Sequence, residues 1–187
     1  MSGLLIAGLT VGAIAALSGA WALARPEQML GALKAFPRDA KAAAVLTAVD
    51  LAWAAIELNR MYLGTFDRFK PALWILTPLL IFLCIKYMDE LLAARALGGL
   101  LLLVAAPILD AVRWFPTAAD PSPWRLVMAV LAYLWIAYGL LLLCAPYWFR
   151  KHLEWWTSFD PRLRVGGALK LLAGLALIVL SLCCYRG

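Results

Sequence analysis

Four ionisable residues stand in stretches of the sequence that are otherwise apolar: Asp50, Glu57, Asp110 and Lys170. A charged side chain at the centre of a bilayer costs about 3 kcal/mol on insertion scales, so such residues persist where they relay protons or cations, or where an opposite charge neutralises them. Asp50 lies about nine residues into its apolar run, roughly 14 Å deep at about 1.5 Å per residue, which puts it close to the midplane. Glu57 follows nearly two helical turns later, so both carboxylates share one face, with Trp53 and Ala54 between them. That face is expected to point into protein. Asp50 then serves either as a proton or cation relay or as a structural acid paired with a base. Lys170 starts about six residues into the last apolar run, at a similar depth, on a long flexible stem. An Asp50–Lys170 ion pair is the preferred reading.

Glu57 with Arg60, and Asp110 with Arg113, are spaced i, i+3 near the outer ends of their runs, where each pair can neutralise itself locally. Both are read as interfacial ion pairs, which could together line an outward-facing vestibule.

The remaining motifs exclude more chemistry than they suggest. His152 is the only histidine, which weighs against bis-histidine haem ligation and against a His-rich metal site. In His152-Leu153-Glu154 a possible acid/base pair has no nucleophile or metal partner beside it, so a surface role on an interfacial helix is preferred. Neither G-x-x-x-x-G-K-[ST], G-x-G-x-x-G nor G-x-S-x-G occurs, which argues against nucleotide-driven work and a serine nucleophile in this chain. Cys84, Cys144, Cys183 and Cys184 lack C-x-x-C spacing and read as small buried hydrophobes; the adjacent Cys183-Cys184 could close only a strained ring. No catalytic residue, cofactor or metal is assigned.

The elements that must position these groups follow from composition. Hydrophobic residues make up 65% of the 187, and mean hydropathy is +0.87, far above soluble proteins. The expected fold is all-α and integral to the membrane, a single polytopic domain over 1–187. Helices are expected near 3–24, 41–62, 71–87, 92–114, 124–145 and 164–184, six transmembrane helices in three hairpins. Continuous apolar runs such as Ala96 to Leu109 contradict the alternation of a β-barrel. Ala22-Leu23-Ala24 resembles a signal-peptidase site, but no positive charge precedes the run, and a retained first helix is expected. The third helix is the least clean. Pro78 should kink it, and Lys86, Asp89 and Glu90 follow before the fourth begins.

Basic residues give the orientation. The loops after helices one, three and five carry Arg25, Lys34, Arg38, Lys41, Lys86, Arg95, Arg150, Lys151, Arg162 and Arg164; the other side carries Arg60, Arg68, Lys70, Arg113, Arg125 and Arg186. The positive-inside rule then places the chain in the plasma (inner) membrane with both termini outside the cytoplasm. The net charge of +6 is spread between apolar runs, which suits anionic headgroups rather than nucleic acid.

The chain also repeats itself weakly. Arg25-Pro26-Glu27-Gln28-Met29-Leu30, then Leu33, Phe36 and Pro37-Arg38, follows helix one; Ala145-Pro146-Tyr147-Trp148-Phe149-Arg150, then Leu153, Trp156 and Pro161-Arg162, follows helix five. In each, large apolar residues recur every three to four positions, as in a short amphipathic helix lying in the interface, where Trp148, Trp155 and Trp156 suit the headgroup level. Arg95-Ala96-Leu97-Gly98-Gly99, Arg164-Val165-Gly166-Gly167-Ala168 and Lys41-Ala42-Ala43-Ala44 open the even helices alike, basic then small. Copies separated by even numbers of helices run the same way, so the repeat is parallel. Gly8, Gly12, Ala16 and Ala20 form a small-residue ridge for close helix packing.

Three functions remain open. The first is a non-catalytic accessory or scaffold subunit of a larger membrane complex, with lipids and other subunits or further copies of itself as partners. The second is a small channel or ion-coupled transporter using Asp50. The third and weakest is a membrane-embedded enzyme acting on a lipid or quinone, with Asp50, Glu57 or Asp110 as acid/base.

Overall fold

The computed structural model describes residues 2–87, 92–114, 123–157 and 160–185. Among these the chain is helical throughout, without a strand: α1 (Gly3–Ala24), α2 (Pro26–Ala35), α3 (Ala40–Arg60), α4 (Lys70–Tyr87), α5 (Leu92–Arg113), α6 (Arg125–Cys144), α7 (Tyr147–Thr157) and α8 (Asp160–Cys184). Six of these, α1, α3, α4, α5, α6 and α8, are long and apolar enough to cross a bilayer, which makes this a multi-pass membrane protein by length and composition. Asp89, Glu90 and Arg186 lie outside the described residues.

Local chemistry sets the helix ends. The Ser2 hydroxyl accepts from the Leu5 amide at 3.3 Å and caps α1, and Asp39 accepts from Lys41 and Ala42 at 3.0 and 3.2 Å and caps α3. α8 begins at Asp160, four residues before the expected start, because Pro161 is tolerated in a first turn whose amides have no partners anyway. α4 and α5 run through Pro78 and Pro107. After α3 the chain turns at Gly64, whose φ of 61° favours glycine, into a 3₁₀ turn over Gly64–Phe69.

The joints after α1 and α6 share one backbone conformation. Arg25 has φ −139 and ψ 67, Ala145 has φ −137 and ψ 67, and each amide donates to the carbonyl four residues back, Trp21 at 2.9 Å and Leu141 at 2.8 Å. A proline follows each. Proline disfavours the helical region for the residue before it, so the first helix ends, and it fits the first turn of the next, so a short helix starts.

The long helices do not pack as the three successive hairpins expected from the sequence. The first pairs with the last: α1 lies antiparallel against α8, α6 antiparallel against α5, and α3 lies against α5 on one side and α4 on the other. The physical reason is backbone proximity. A Cβ on Gly19 would lie 2.6 Å from the Leu171 nitrogen, one on Gly12 2.8 Å from Ile178 Cγ1, and one on Gly98 or Gly139 2.8 Å from the other's carbonyl oxygen. Where lipid is as apolar as any side chain, such close dispersion contact is what holds helices together. α3 and α5 run parallel, with Ala43 beside Leu92 and Ala93, and Asp50 beside Gly99.

At the terminal end of the bundle α1, α5, α6 and α8 close around Leu4, Leu5, Ala105, Ile108, Met128, Ala132 and Tyr185. Tyr185 is fully buried, donates from its hydroxyl to the Trp124 carbonyl at 2.7 Å, and offers its own carbonyl to the Ser2 hydroxyl. Both chain ends are thus tied into one corner. α2 and α7 meet at the opposite end, where the Phe36 and Phe149 rings stand edge-on with centroids 6.1 Å apart.

One regularity runs through the buried positions. The buried residues of α6, namely Met128, Ala132, Gly139 and Leu142, each stand at the same chain distance from a buried residue of α1: Gly8, Gly12, Gly19 and Ala22. A second constant distance relates Ala94, Gly98 and Ala105 of α5 to Leu163, Gly167 and Gly174 of α8, all buried.

Candidate functional site

The two charges expected to neutralise each other lie in different parts of the bundle. Ala43, Thr47 and Asp50 are the buried residues of α3, spaced to share one helical face, and Asp50 meets α5 at Gly99, where a Cβ would come within 3.0 Å of its Oδ2. Its Oδ1 is buried without a hydrogen-bond partner. The neighbouring Thr47 hydroxyl is taken up by the Ala43 carbonyl at 2.8 Å. The Asp50–Lys170 ion pair is not made among the described residues. Equal depth is not proximity: α3 packs on α4 and α5, whereas α8, which carries Lys170, packs on α1.

At the far ends of α3 and α5 the outer charges find local partners. Glu57 accepts from the Trp53 indole at 3.2 Å and from Arg60 at 3.4 Å. The Asp110–Arg113 ion pair is not formed. Asp110 accepts from the Trp114 indole at 3.2 Å, and the Arg113 guanidinium lies over the Trp114 ring, 5.5 Å from its centroid. Both charges are exposed, so the electrostatic gain from pairing is small enough for an indole one position further on to compete.

On α1 the small residues do face a helix, but not in a straight row. Gly8 and Gly12 are buried against α8 and Ala16 is half-buried beside Gly174, whereas Ala20 is exposed and the contact passes to Gly19 and Ala22. A step of four residues overshoots one turn by about 40°, so three such steps carry a side chain about 120° round the helix.

One cavity joins residues that no motif connects. It has a volume of about 370 Å³, is lined by α1, α2, α6, α7 and α8, and is open to the surface. Its lining comes from Ser18 and Ala22 of α1, Met29 and Leu33 of α2, Phe149, Leu153 and Trp156 of α7, and Leu163, Gly166 and Gly167 of α8. Its size falls within the range of about 300–1,000 Å³ of small-ligand sites. Polar atoms come from Tyr138, His152 and Lys170, the last two exposed at the cavity edge. The Tyr138 hydroxyl and His152 Nδ1 are 3.3 Å apart, their rings edge-on at 5.9 Å. Gly166 makes room for Trp156, whose ring would come within 2.6 Å of a Cβ there.

Beside the cavity lies a filled cluster. Ala94, Leu142 and Phe149 are buried there, with Phe36, Leu97, Leu101, Tyr138 and Leu153 packed around them. His152 and Lys170 were assigned separately from the sequence, one to a surface and the other to Asp50; the structure brings them to one cavity. The signal that could have found it is positional. The residues lining the cavity and those filling the cluster stand at the same two chain distances that relate α1 to α6 and α5 to α8. No group of three metal-ligating side chains occurs among the described residues. Set against family models, curated proteins and solved structures, the chain matches none of them.

Proposed function

We propose that this chain is a non-catalytic accessory subunit of a plasma-membrane assembly, built on a parallel internal repeat, and that its working part is the cavity, which holds the apolar portion of a membrane amphiphile. One observation carries the reading: the cavity is the emptied counterpart of the filled cluster. Superposing the halves by chain position sets Ser18 against Tyr138, Ala22 against Leu142, Met29 against Phe149 and Gly166 against Leu97. Each of these residues on the cavity side is smaller than its counterpart, whereas Leu163 is larger than Ala94 and Trp156 larger than Phe36, and Gly98 and Gly167, where helix backbones cross, are the same residue. Protein interiors are packed to crystal-like density, so volume withdrawn at Ser18, Ala22 and Met29 around one space is a shape, whereas the room left at Gly166 is taken by the Trp156 ring.

In this arrangement α2 and α7 are interfacial helices on the cytoplasmic side, with both termini outside. Support comes from cations lying over rings, as at a headgroup boundary: the Lys151 ammonium is 5.7 Å from the Tyr147 centroid and 5.8 Å from that of Trp148, and the Arg162 guanidinium is 4.7 Å from that of Trp155. The test is Ser18→Leu, which places a larger side chain on the cavity wall at a helical position whose hydroxyl bonds only its own helix, to Ala15 at 3.0 Å. Mass spectrometry of the purified protein should show retained amphiphile in the wild type and loss of it in a variant that remains folded. Equal retention in both removes the reading.

A second reading is favoured by Asp50, whose buried carboxylate oxygen lacks a partner. There Asp50 acts as a proton or cation relay in a small transporter. Asp50→Asn should then abolish flux into reconstituted liposomes, and unchanged flux removes this reading.

A further inference from the structure

Resting on the amphiphile reading, the geometry points to the charge of the occupant: we propose that the cavity takes an anionic phospholipid of the leaflet on the α2/α7 side, with its acidic headgroup held by Lys170 and His152 and one acyl chain lying between α1, α6 and α8. The volume differences between the two halves explain room for a chain. They do not explain Lys170, which occupies the position of Leu101, nor His152, which occupies that of Ala32. An apolar residue packed on the filled cluster is replaced by a cation at the cavity, and the exposed Ala32 of α2 by an imidazole on α7.

These groups have donors to spare, and among the described residues no carboxylate receives them. No carboxylate stands within ion-pair distance of Lys170 among the described residues. Glu154, the acid of α7, is held by Arg150 at 3.0 Å, and the Ser18 hydroxyl donates to its own helix. Glu27 of α2 is exposed and does not line the cavity. The Tyr138 hydroxyl and His152 Nδ1 satisfy one another, which leaves the second imidazole nitrogen and the ammonium. A helical side chain leans toward the N-terminus of its helix, so the Lys170 stem runs up α8 toward α7, and its ammonium can reach the headgroup level while its methylenes line the cavity. An occupant that completes this set brings an acyl chain for the walls and negative oxygens for the rim, as an anionic phospholipid does. A lysine without a counter-ion on a membrane-spanning helix is otherwise a lasting cost.

The experiment reconstitutes the full chain in vesicles of one part phosphatidylglycerol to four parts phosphatidylcholine, re-extracts it, and quantifies retained lipids by mass spectrometry. Wild type should enrich phosphatidylglycerol over its vesicle share. Lys170→Gln should lower that preference about tenfold, the change that about 1.4 kcal/mol makes, while Lys170→Arg keeps it. If Lys170→Gln enriches phosphatidylglycerol as strongly as wild type, the selectivity belongs to the general basic surface and the proposal is overturned. If wild type retains both lipids without preference and Ser18→Leu expels both, the acidic headgroup is wrong and the amphiphile reading stands. If free fatty acid is retained in place of phospholipid, the phospholipid occupant is wrong. If Ser18→Leu changes no retained species, both the proposal and the reading beneath it fail.

Discussion

Gly19 offers the sharpest test of what holds the first helix to the last. A Cβ there would lie 2.6 Å from the Leu171 nitrogen, 2.7 Å from the Gly167 carbonyl oxygen and 2.9 Å from the Leu171 Cα. All three atoms are backbone, so no rotamer change relieves the contact. Restoring ordinary separation, about 3.5 Å between atoms, requires α1 and α8 to move apart by roughly 0.8 Å. A gap of that size forfeits between about a quarter and a half of the dispersion well for every neighbouring pair, and overpacking of this kind costs about 1–3 kcal/mol. Against it stands the better helix propensity of alanine, worth about 1 kcal/mol. Gly31→Ala on α2 isolates that second term, because nothing lies within 4 Å of its Cβ position. In detergent unfolding, Gly19→Ala should therefore be up to about 2 kcal/mol less stable than wild type, and Gly31→Ala about 1 kcal/mol more stable. If the two variants shift in the same direction by the same amount, close backbone contact is not what joins α1 to α8.

Three further outcomes follow from single contacts. Asp50→Val removes a buried oxygen that has no partner, and should raise stability by about 1–3 kcal/mol in detergent unfolding; a loss would mean that the carboxyl group has a partner in the native protein. Tyr185→Phe deletes the 2.7 Å bond to the Trp124 carbonyl while keeping the buried ring, and should cost about 1 kcal/mol in the same measurement, against no change if that corner is frayed. Phe149→Ala empties a side chain that is 7% exposed and should cost about 3–5 kcal/mol, whereas Tyr147→Ala, at 52% exposure, should stay within about 0.5 kcal/mol; similar losses at both sites would show that α7 is not anchored through Phe149.

The number of long helices was legible because hydropathy reports directly on length against bilayer thickness. Their ends were nearly so, since Ser2, Asp39, Pro26 and Pro146 act through local chemistry. Neighbours were not legible. Apolar surface faces lipid and protein alike in a membrane, so hydrophobicity stops marking the inside, and only the glycines carry the pairing. Gly19 looked like any small residue until its distance to Gly167 was known. Asp50 and Lys170 were matched by depth, the one coordinate that sequence supplies, whereas the angle around the bundle decides whether they meet. The cavity was hidden for another reason. Its lining comes from α1, α2, α6, α7 and α8, five helices that no local motif brings together.

Such a cavity has a physical cost. A core under selection for stability alone drifts toward filled space, because each missing methylene forfeits contacts, and a cavity persists only when its cost is offset. An accident of packing would leave one undersized residue with its neighbours relaxed around it. Here Ser18, Ala22 and Met29 are all reduced relative to Tyr138, Leu142 and Phe149, from two different helices, and they converge on one space, while Trp156 fills the room left at Gly166. Lys170 then adds a charge where Leu101 would have completed the apolar wall. A void alone would be explained by tolerance, and a lone intramembrane lysine by snorkelling to the interface. Their coincidence, in the half that the proposed repeat would otherwise have filled, favours a space kept open for a molecule with an apolar tail and an acidic head.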